Sequence, residues 1–199
     1  MTTDPFDTLP TTDPAAFTRL HQRLESAAGD AGVLDVAYRT MDSPVGTLLL
    51  ATTDLGMLRV AFDREGIDTV LEDLARDVSP RILRAPARLD GAARELDEYF
   101  AGDRRTFDLP LDLRLSHGFR RAVLEQLMHI DYGTTASYGD VAEAAGNPRA
   151  ARAVGSACRT NPLPLILPCH RVVRSDGSIG QYLGGVEAKQ LLLSMEAAA

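Results

Sequence analysis

Apolar residues recur along this chain with two different periods, and the switches between them mark its organisation. Met1 to Thr12 is rich in Thr, Pro and Asp, has no period, and reads as disordered. Asp13-Pro14 then reads as an N-cap followed by proline at the first helical position. Phe17, Leu20 and Leu24 follow at helical spacing until Gly29. This helix is read as a peripheral one packed on the rest of the chain, with partner binding as the alternative. From Val33 to Asp63 the texture changes to strands. Ala37–Thr40, Thr47–Thr52 and Leu58–Phe62, separated by turns at Ser43-Pro44-Val45-Gly46 and Asp54-Leu55-Gly56, predict a three-stranded meander.

The helical period returns over Gly66–Asp77 and Arg88–Phe100, the second with Leu89, Ala93, Leu96 and Phe100 on one face and Gly102 closing it. Thr106–Leu115 alternates around Pro110, which suits an edge strand or an extended linker. Phe119–Ile130 is a helix with Phe119, Val123, Leu127 and Ile130 inward. Ser137-Tyr138-Gly139-Asp140 has the capping-box pattern and opens a short helix that stops at Gly146. Asn147-Pro148 reads as the N-cap and first position of another. Two short helices joined by Ala145-Gly146-Asn147 read as a helix-turn-helix, a pattern also found in proteins that never touch DNA.

Composition narrows the classes. The 199 residues are 45% hydrophobic and 25% charged, ordinary for a globular chain of one or two domains. No apolar run is long enough to span a bilayer, and Met1-Thr2-Thr3-Asp4-Pro5 lacks the cationic-then-apolar pattern of a secretory signal. Two cysteines and four scattered histidines, with no paired-ligand spacing, predict neither a disulfide framework nor a zinc site. A reduced, cytoplasmic, metal-free protein is expected. The net charge of −7 disfavours nucleic acid only until it is divided. Residues 1–116 carry 13 basic and 21 acidic side chains, net −8, while 117–199 carry 8 and 7, net +1.

On a helix from Pro148 to Thr160, Arg149, Arg152, Ser156 and Arg159 share one stripe, with Ala150, Ala153, Val154 and Ala157 opposite. A solvated arginine face over a small-residue core fits this equally. Helices that read the major groove present Asn, Gln, Arg or Lys to base edges. This one offers Ala151, Gly155 and Ser156, which suits close backbone approach, phosphate contacts and a narrow groove. If it binds DNA, it reads shape or a lesion. Downstream, Pro168-Cys169-His170-Arg171-Val172 sets a thiol beside an imidazole. Adjacent side chains on a regular strand face apart, so the pair cooperates only at a bend or through water, and Pro168 supplies a bend. A buried, inert cysteine is the competing reading, and the one given to Cys158.

The run Asn161-Pro162-Leu163-Pro164-Leu165-Ile166-Leu167-Pro168-Cys169-His170-Arg171-Val172, followed by Gly180-x-Tyr182-x-Gly184-Gly185, closely resembles the methylated-DNA–protein-cysteine methyltransferases (O(6)-alkylguanine-DNA alkyltransferases). Tyr138-Gly139 and Asn147–Gly155 match the family's helix-turn-helix. Ser43-Pro44-Val45-Gly46 and Tyr99-Phe100-Ala101-Gly102 extend the likeness upstream, so that it covers 38–196. The resemblance implies an α/β amino-terminal domain with a ribonuclease-H-like sheet over 34–115, after an extension over 1–33. A mostly helical, winged-helix-like domain with the helix-turn-helix would occupy 116–199.

By the same resemblance Cys169 is the alkyl acceptor, His170 its water-linked base, and Glu196 the group that polarises the histidine. Asn161 is the hinge residue tying the recognition helix to the cysteine loop. Arg152 enters the duplex where the lesion was, and Tyr138 assists nucleotide rotation and protonates the leaving guanine. Arg149, Ala151 and Ser156 complete the DNA-facing set. Val172, Val173, Tyr182, Leu183 and Gly184 line the base pocket, Tyr182 as its aromatic wall.

The implied reaction is single-turnover transfer from O(6)-alkylguanine after base flipping, with activity on O(4)-alkylthymine left open by the sequence. It needs no metal or organic cofactor, and a monomer acting from the minor groove is expected. Leu183 departs from a smaller residue usual in the family, and Leu124 from a tryptophan. Three rivals are weaker. A non-enzymatic relative that binds alkylguanine would lack Cys169. A regulator would need a sequence-reading helix, and a cysteine hydrolase an oxyanion hole.

Overall fold

The computed structural model describes residues 13–198, so the disorder expected for residues 1–12 lies outside it. The chain divides into two compact units, Met1–Leu34 and Asp35–Ala199. In the first, α1 (Pro14–Asp30) begins where the sequence predicts. Asp13 is its N-cap, and its carboxylate accepts a 2.9 Å hydrogen bond from the Ala15 N–H. Phe17, Leu20 and Leu24 lie along this helix and are exposed.

The second unit opens with the predicted meander, β1 (Val36–Met41), β2 (Leu48–Thr53) and β3 (Gly56–Phe62), paired antiparallel. After α2 (Ile67–Asp77), a fourth short strand, β4 (Ile82–Arg84), pairs parallel to β1 and completes the order β3-β2-β1-β4. Three residues flanked by proline and arginine carry too little pattern for sequence reading to find β4. Leu49, Ala51, Leu58 and Ala61 on the sheet pack with Val70 and Leu74 of α2. A 3-10 turn over Pro86–Leu89 leads into α3 (Asp90–Ala101). The inward aromatic of α3 is Tyr99, fully buried, whereas Phe100 is partly exposed. The segment around Pro110 is the extended linker: Met57 N–H donates to the Pro110 carbonyl at 2.7 Å and Asp112 N–H returns to Met57 at 2.8 Å.

The rest is mostly helical: α4 (Gly118–Leu127), α5 (Tyr138–Ala144), α6 (Ala151–Arg159) and α7 (Val186–Ala197). The capping box of α5 forms in full. Asp140 N–H donates to Ser137 Oγ at 3.1 Å and Ser137 N–H to the Asp140 carboxylate at 2.8 Å. The start expected at Asn147-Pro148 is corrected. Residues 147–150 form a turn closed by Ala150 N–H on the Asn147 carbonyl, and α6 begins at Ala151. Asn147 N–H closes the preceding helix on the Ala142 carbonyl, while the Asn147 carbonyl closes only this turn, and it is the Ala150 carbonyl that accepts the first bond of α6, from Val154 N–H. Arg149 therefore precedes the helix and shares no stripe with Arg152. A two-residue parallel pair, β5 (Ala136–Ser137) with β6 (Val172–Val173), ties the start of α5 to the segment leaving Cys169. Among the described residues, no helix is long and apolar enough to cross a membrane.

Candidate active site

Every residue from Asn161 to Val173 is buried, although none belongs to an α-helix, and none to a strand until β6. A buried irregular segment must satisfy its backbone groups from within, and Asn161 does much of this. Its amide nitrogen donates to the Leu167 carbonyl at 2.8 Å and to Cys169 Sγ at 3.2 Å, and its amide oxygen accepts from Leu163 N–H at 3.0 Å. Within this loop Leu165 holds a left-handed backbone (φ 75°), the only such non-glycine among the described residues. Strain of this kind persists where the surroundings over-determine it.

Pro168 delivers the bend. Cys169–Arg171 form one 3-10 turn, so the thiol and the imidazole are not set on opposite faces of a strand. His170 is completely buried, and its Nε2 lies 2.9 Å from Glu196 Oε1, presented by α7. Glu196 also accepts from Tyr99 OH at 2.6 Å, from Arg171 Nε and a terminal Arg171 nitrogen at 2.9 Å each, and from Gly133 N–H at 3.2 Å. Arg171 is anchored at its other end by the Ile130 carbonyl at 2.6 Å.

These contacts set the protonation states. Burial alone would raise the Glu196 carboxyl, but hydrogen bonds from His170, Arg171 and Tyr99 outweigh it and hold it at about 2. Glu196 is therefore a carboxylate, and the proton it receives from the imidazole sits on Nε2. His170 Nδ1, buried and without a hydrogen-bond partner in the protein, then carries the lone pair. Burial pushes the imidazole below 6.5 against the pull of Glu196, so it is neutral and able to take a proton. Burial also pushes the Cys169 thiol up to about 11, opposed by the Asn161 N–H and by the charge of Lys189. The resting pair is a neutral thiol and a neutral base.

Lys189, the sole lysine of the chain, is fully buried on α7 and donates to the Val172 carbonyl at 2.5 Å. It lies seven residues before Glu196, two helical turns, so one face of α7 holds His170, Arg171 and the Val172 carbonyl, the residues that follow Cys169.

A cleft of about 970 Å³ opens on the outer side of Tyr182, whose ring centre lies 6.2 Å from that of His170; Cys169 itself is not among its lining residues. Six of the residues predicted for DNA or base contact line it: Tyr138, Ala151, Arg152, Ser156, Tyr182 and Leu183, joined by Gly155, Arg159 and Arg174. Val172 and Val173 are buried, and Arg149 stands exposed outside the lining. The two glycine contacts explain why this loop has no side chains there. A Cβ on Gly180 would stand 2.6 Å from the Tyr138 hydroxyl, and one on Gly184 2.7 Å from the Phe62 ring. Tyr182 packs edge-on to Phe62 with ring centres 5.5 Å apart, and its hydroxyl is buried without a partner. Cys158 is buried on α6, where desolvation moves its thiol further from ionisation than that of Cys169.

A family model for the DNA-binding domain of 6-O-methylguanine DNA methyltransferase matches residues 118–198, and one for its ribonuclease-like domain matches 36–113. The chain is 41% identical over 161 residues to the methylated-DNA–protein-cysteine methyltransferase of Mycolicibacterium paratuberculosis, a match spanning 81% of this chain and 92% of that protein. The chain belongs to the 6-O-methylguanine DNA methyltransferase family. A crystal structure of the Mycobacterium tuberculosis O6-methylguanine methyltransferase superimposes with a TM-score of 0.72 at 37% identity, covering 82% of this chain and 93% of that one. A structure of the M. tuberculosis protein in complex with DNA gives the same TM-score at 38% identity, with 81% and 93% covered.

The two-part α/β and helical architecture of this methyltransferase family is thus the one the motifs implied. Sequence reading assigned no role to three residues of the buried network: Tyr99, Arg171 and Lys189. Tyr99 and Arg171 stood inside quoted motifs. Lys189 was marked only by its rarity and its spacing from Glu196.

Proposed function

We propose that this protein repairs DNA by direct reversal, moving a methyl or larger alkyl group from O6 of guanine in duplex DNA onto Cys169, once per chain. Residues 34–115 act as the scaffold and 116–199 as the DNA-binding and acceptor part. One observation carries this reading: Asn161, Cys169, His170 and Glu196 are joined by buried hydrogen bonds and one tight turn, with a bare imidazole nitrogen on the side away from the carboxylate.

The chemistry follows from the protonation states. The Cys169 proton passes to His170 Nδ1 through a bridging water, and the resulting imidazolium is stabilised by the Glu196 carboxylate. The thiolate attacks the alkyl carbon, an S–C bond forms as the C–O6 bond breaks, and the electron pair returns to the guanine ring. Tyr138, whose hydroxyl is held above its usual value by burial and the nearby cysteine sulfurs, stays protonated and donates to the departing base. The product is a thioether with no proton to lose, so the acceptor is consumed.

A guanine O6 inside a duplex is out of reach of a buried thiol, so the nucleotide is flipped into the cleft against Tyr182, and Arg152 fills the space it leaves. The small residues of α6, Ala151, Gly155 and Ser156, suit the minor groove and little base readout. The protein acts as a monomer, and both of its cysteines are free, as a reduced cytoplasmic compartment would keep them.

Incubation with a duplex containing O(6)-methylguanine, followed by peptide mass mapping, tests the reading. The added methyl is expected on the Cys169 peptide. Recovery on Cys158, or no covalent adduct beside a repaired duplex, overturns it.

A further inference from the structure

The free edge of β3 does not end in solvent. Val60 N–H donates to the Pro162 carbonyl at 2.8 Å, and Arg59 donates through one terminal nitrogen to the Asn161 carbonyl at 3.1 Å. The other terminal nitrogen of Arg59 is paired with Glu65, whose second carboxylate oxygen accepts the Phe62 N–H at 2.9 Å. Both side chains are mostly buried, 15% and 17% exposed. So the ribonuclease-like part reaches Asn161, whose side-chain amide donates to the Cys169 sulfur.

A bulge makes this reach possible. Ala51 pairs with Arg59 and Thr52 with Met57, leaving Leu58 as the extra residue. In a regular strand successive N–H groups point to opposite edges, so those of Met57 and Val60, three apart, would face opposite ways. Because of the bulge both face the free edge, Met57 toward Pro110 and Val60 toward Pro162. Bulges re-aim a strand beside active sites in this manner. The fork geometry of the guanidinium then spans Glu65 and Asn161 together, which a single donor does not.

We propose that Arg59, oriented by Glu65, is a positioning residue for alkyl transfer: it fixes the Asn161 backbone so that the Asn161 amide stays aimed at Cys169 Sγ. This rests on Cys169 being the acceptor. Without the guanidinium, the Asn161 carbonyl loses its side-chain donor; the Asn161 backbone is then held by its N–H on the Cys158 carbonyl of α6, and the side-chain amide drifts from the sulfur. Glu65 loses its cation as well, and its negative charge works against a thiolate at Cys169. Both effects disfavour the nucleophile, and because Glu65 also lines the cleft, the effect of Arg59 is read on a substrate that needs no DNA contact.

The test uses the full chain with O(6)-benzylguanine as free base, which needs neither DNA binding nor flipping. Rate against pH is measured for the wild type, Arg59→Ala, Arg59→Lys and Glu65→Gln, alongside melting temperature, and the labelled wild-type peptide is mapped. Arg59→Ala should slow transfer by about tenfold or more, since small misplacement of reacting groups is costly. Its alkaline rise should move to higher pH. Arg59→Lys, which keeps the charge and a donor, should return the rise toward the wild-type pH. Glu65→Gln should slow transfer by less than Arg59→Ala. If Arg59→Ala melts lower yet keeps the wild-type rate and pH profile, Arg59 only holds the fold together and the proposal fails alone. A wild-type label anywhere but Cys169 removes the acceptor reading and this proposal with it.

Discussion

His170 Nε2 and Glu196 Oε1 lie 2.9 Å apart in a fully buried pair, and the sharing of that proton decides which ring nitrogen faces the cysteine chemistry. The carboxylate fixes the tautomer from behind, as orienting carboxylates do for catalytic histidines elsewhere. Glu196 itself is fixed by Arg171, Tyr99 and Gly133, so the base is held by a network and not by one bond.

That network sets the pH dependence. His170 is depressed below 6.5, so the unfolded chain takes up a proton before the folded one as pH falls, and its contribution to stability is lost progressively below 6.5. Glu196 is depressed from 4.5 to about 2; its contribution is complete above 4.5 and is lost as pH falls from there toward 2. Acid unfolding followed by circular dichroism should therefore begin below pH 6.5 and steepen below 4.5. Transfer from a free alkylguanine base should keep its rate from neutrality down to 6.5 and fall only below it. A rate that already halves above 6.5 would mean that His170 is not the group titrating.

The cost of breaking the network should fall unequally on its members. Glu196→Gln leaves the Arg171 guanidinium buried without its anion, a change that typically costs about 3–5 kcal/mol. Tyr99→Phe removes one hydrogen bond to a charged group, about 1.5–3 kcal/mol, and leaves the His170–Glu196 contact in place. Urea unfolding should rank them in that order. Transfer measured well below the melting temperature should fall far more in Glu196→Gln than in Tyr99→Phe.

The two cysteines offer an internal comparison. Burial is the largest influence on both thiols and the Lys189 charge opposes it at both, but only Cys169 also receives an amide N–H, at 3.2 Å. Cys169→Ser should abolish transfer while retaining affinity for a lesion-containing duplex, because a hydroxyl is a far weaker nucleophile than a thiolate at neutral pH. Cys158→Ser should leave transfer largely intact. Gel-shift and transfer assays on the same preparations separate the two functions.

Most of this molecule was legible from period and punctuation, and its failures have particular causes. The meander, the N-cap at Asp13 and the capping box at Ser137 follow from local rules, and all three form. Asn147-Pro148 obeys the same rules for a helix start, yet Asn147 closes the helix before it and the turn after it, and the Ala150 carbonyl accepts the first bond of α6. Local preference does not reveal which of two elements claims a residue. Tyr99 was passed over for Phe100 because a helix edge admits either, and only the partner Glu196, 97 residues away in sequence, decides it. The bulge at Leu58 has no sequence mark, so the reach of Arg59 to Asn161 was invisible. The motif around Cys169 was legible as chemistry, and its supporting charges were not.

Arg152 is exposed at the cleft mouth on the first turn of α6 and far from the buried relay in role. Arg152→Ala should slow repair in duplex DNA much more than transfer from a free alkylguanine base, because only the duplex has a vacancy to fill. Parallel rate measurements on the two substrates check this. Equal losses on both would place Arg152 in the pocket chemistry.

Stoichiometry separates an alkyl acceptor from any enzyme that turns over. In the proposed reaction Cys169 ends as a thioether, which has no proton to lose and is a poor leaving group. Titrating lesion-containing duplex against protein should give a repair yield that rises linearly and stops near one lesion per active chain, however long the incubation. The product should also be less stable than the starting protein. Cys169 is 2% exposed and its sulfur accepts from the Asn161 amide, so an added carbon overpacks the loop. Overpacking typically costs about 1–3 kcal/mol, and at about 2–4 °C per kcal/mol for a chain of this size the melting temperature should drop by several degrees. A larger alkyl group should lower it further. Repair continuing past one equivalent, with Cys169 unmodified at the end, would require a hydrolytic step, and the acceptor mechanism would fall.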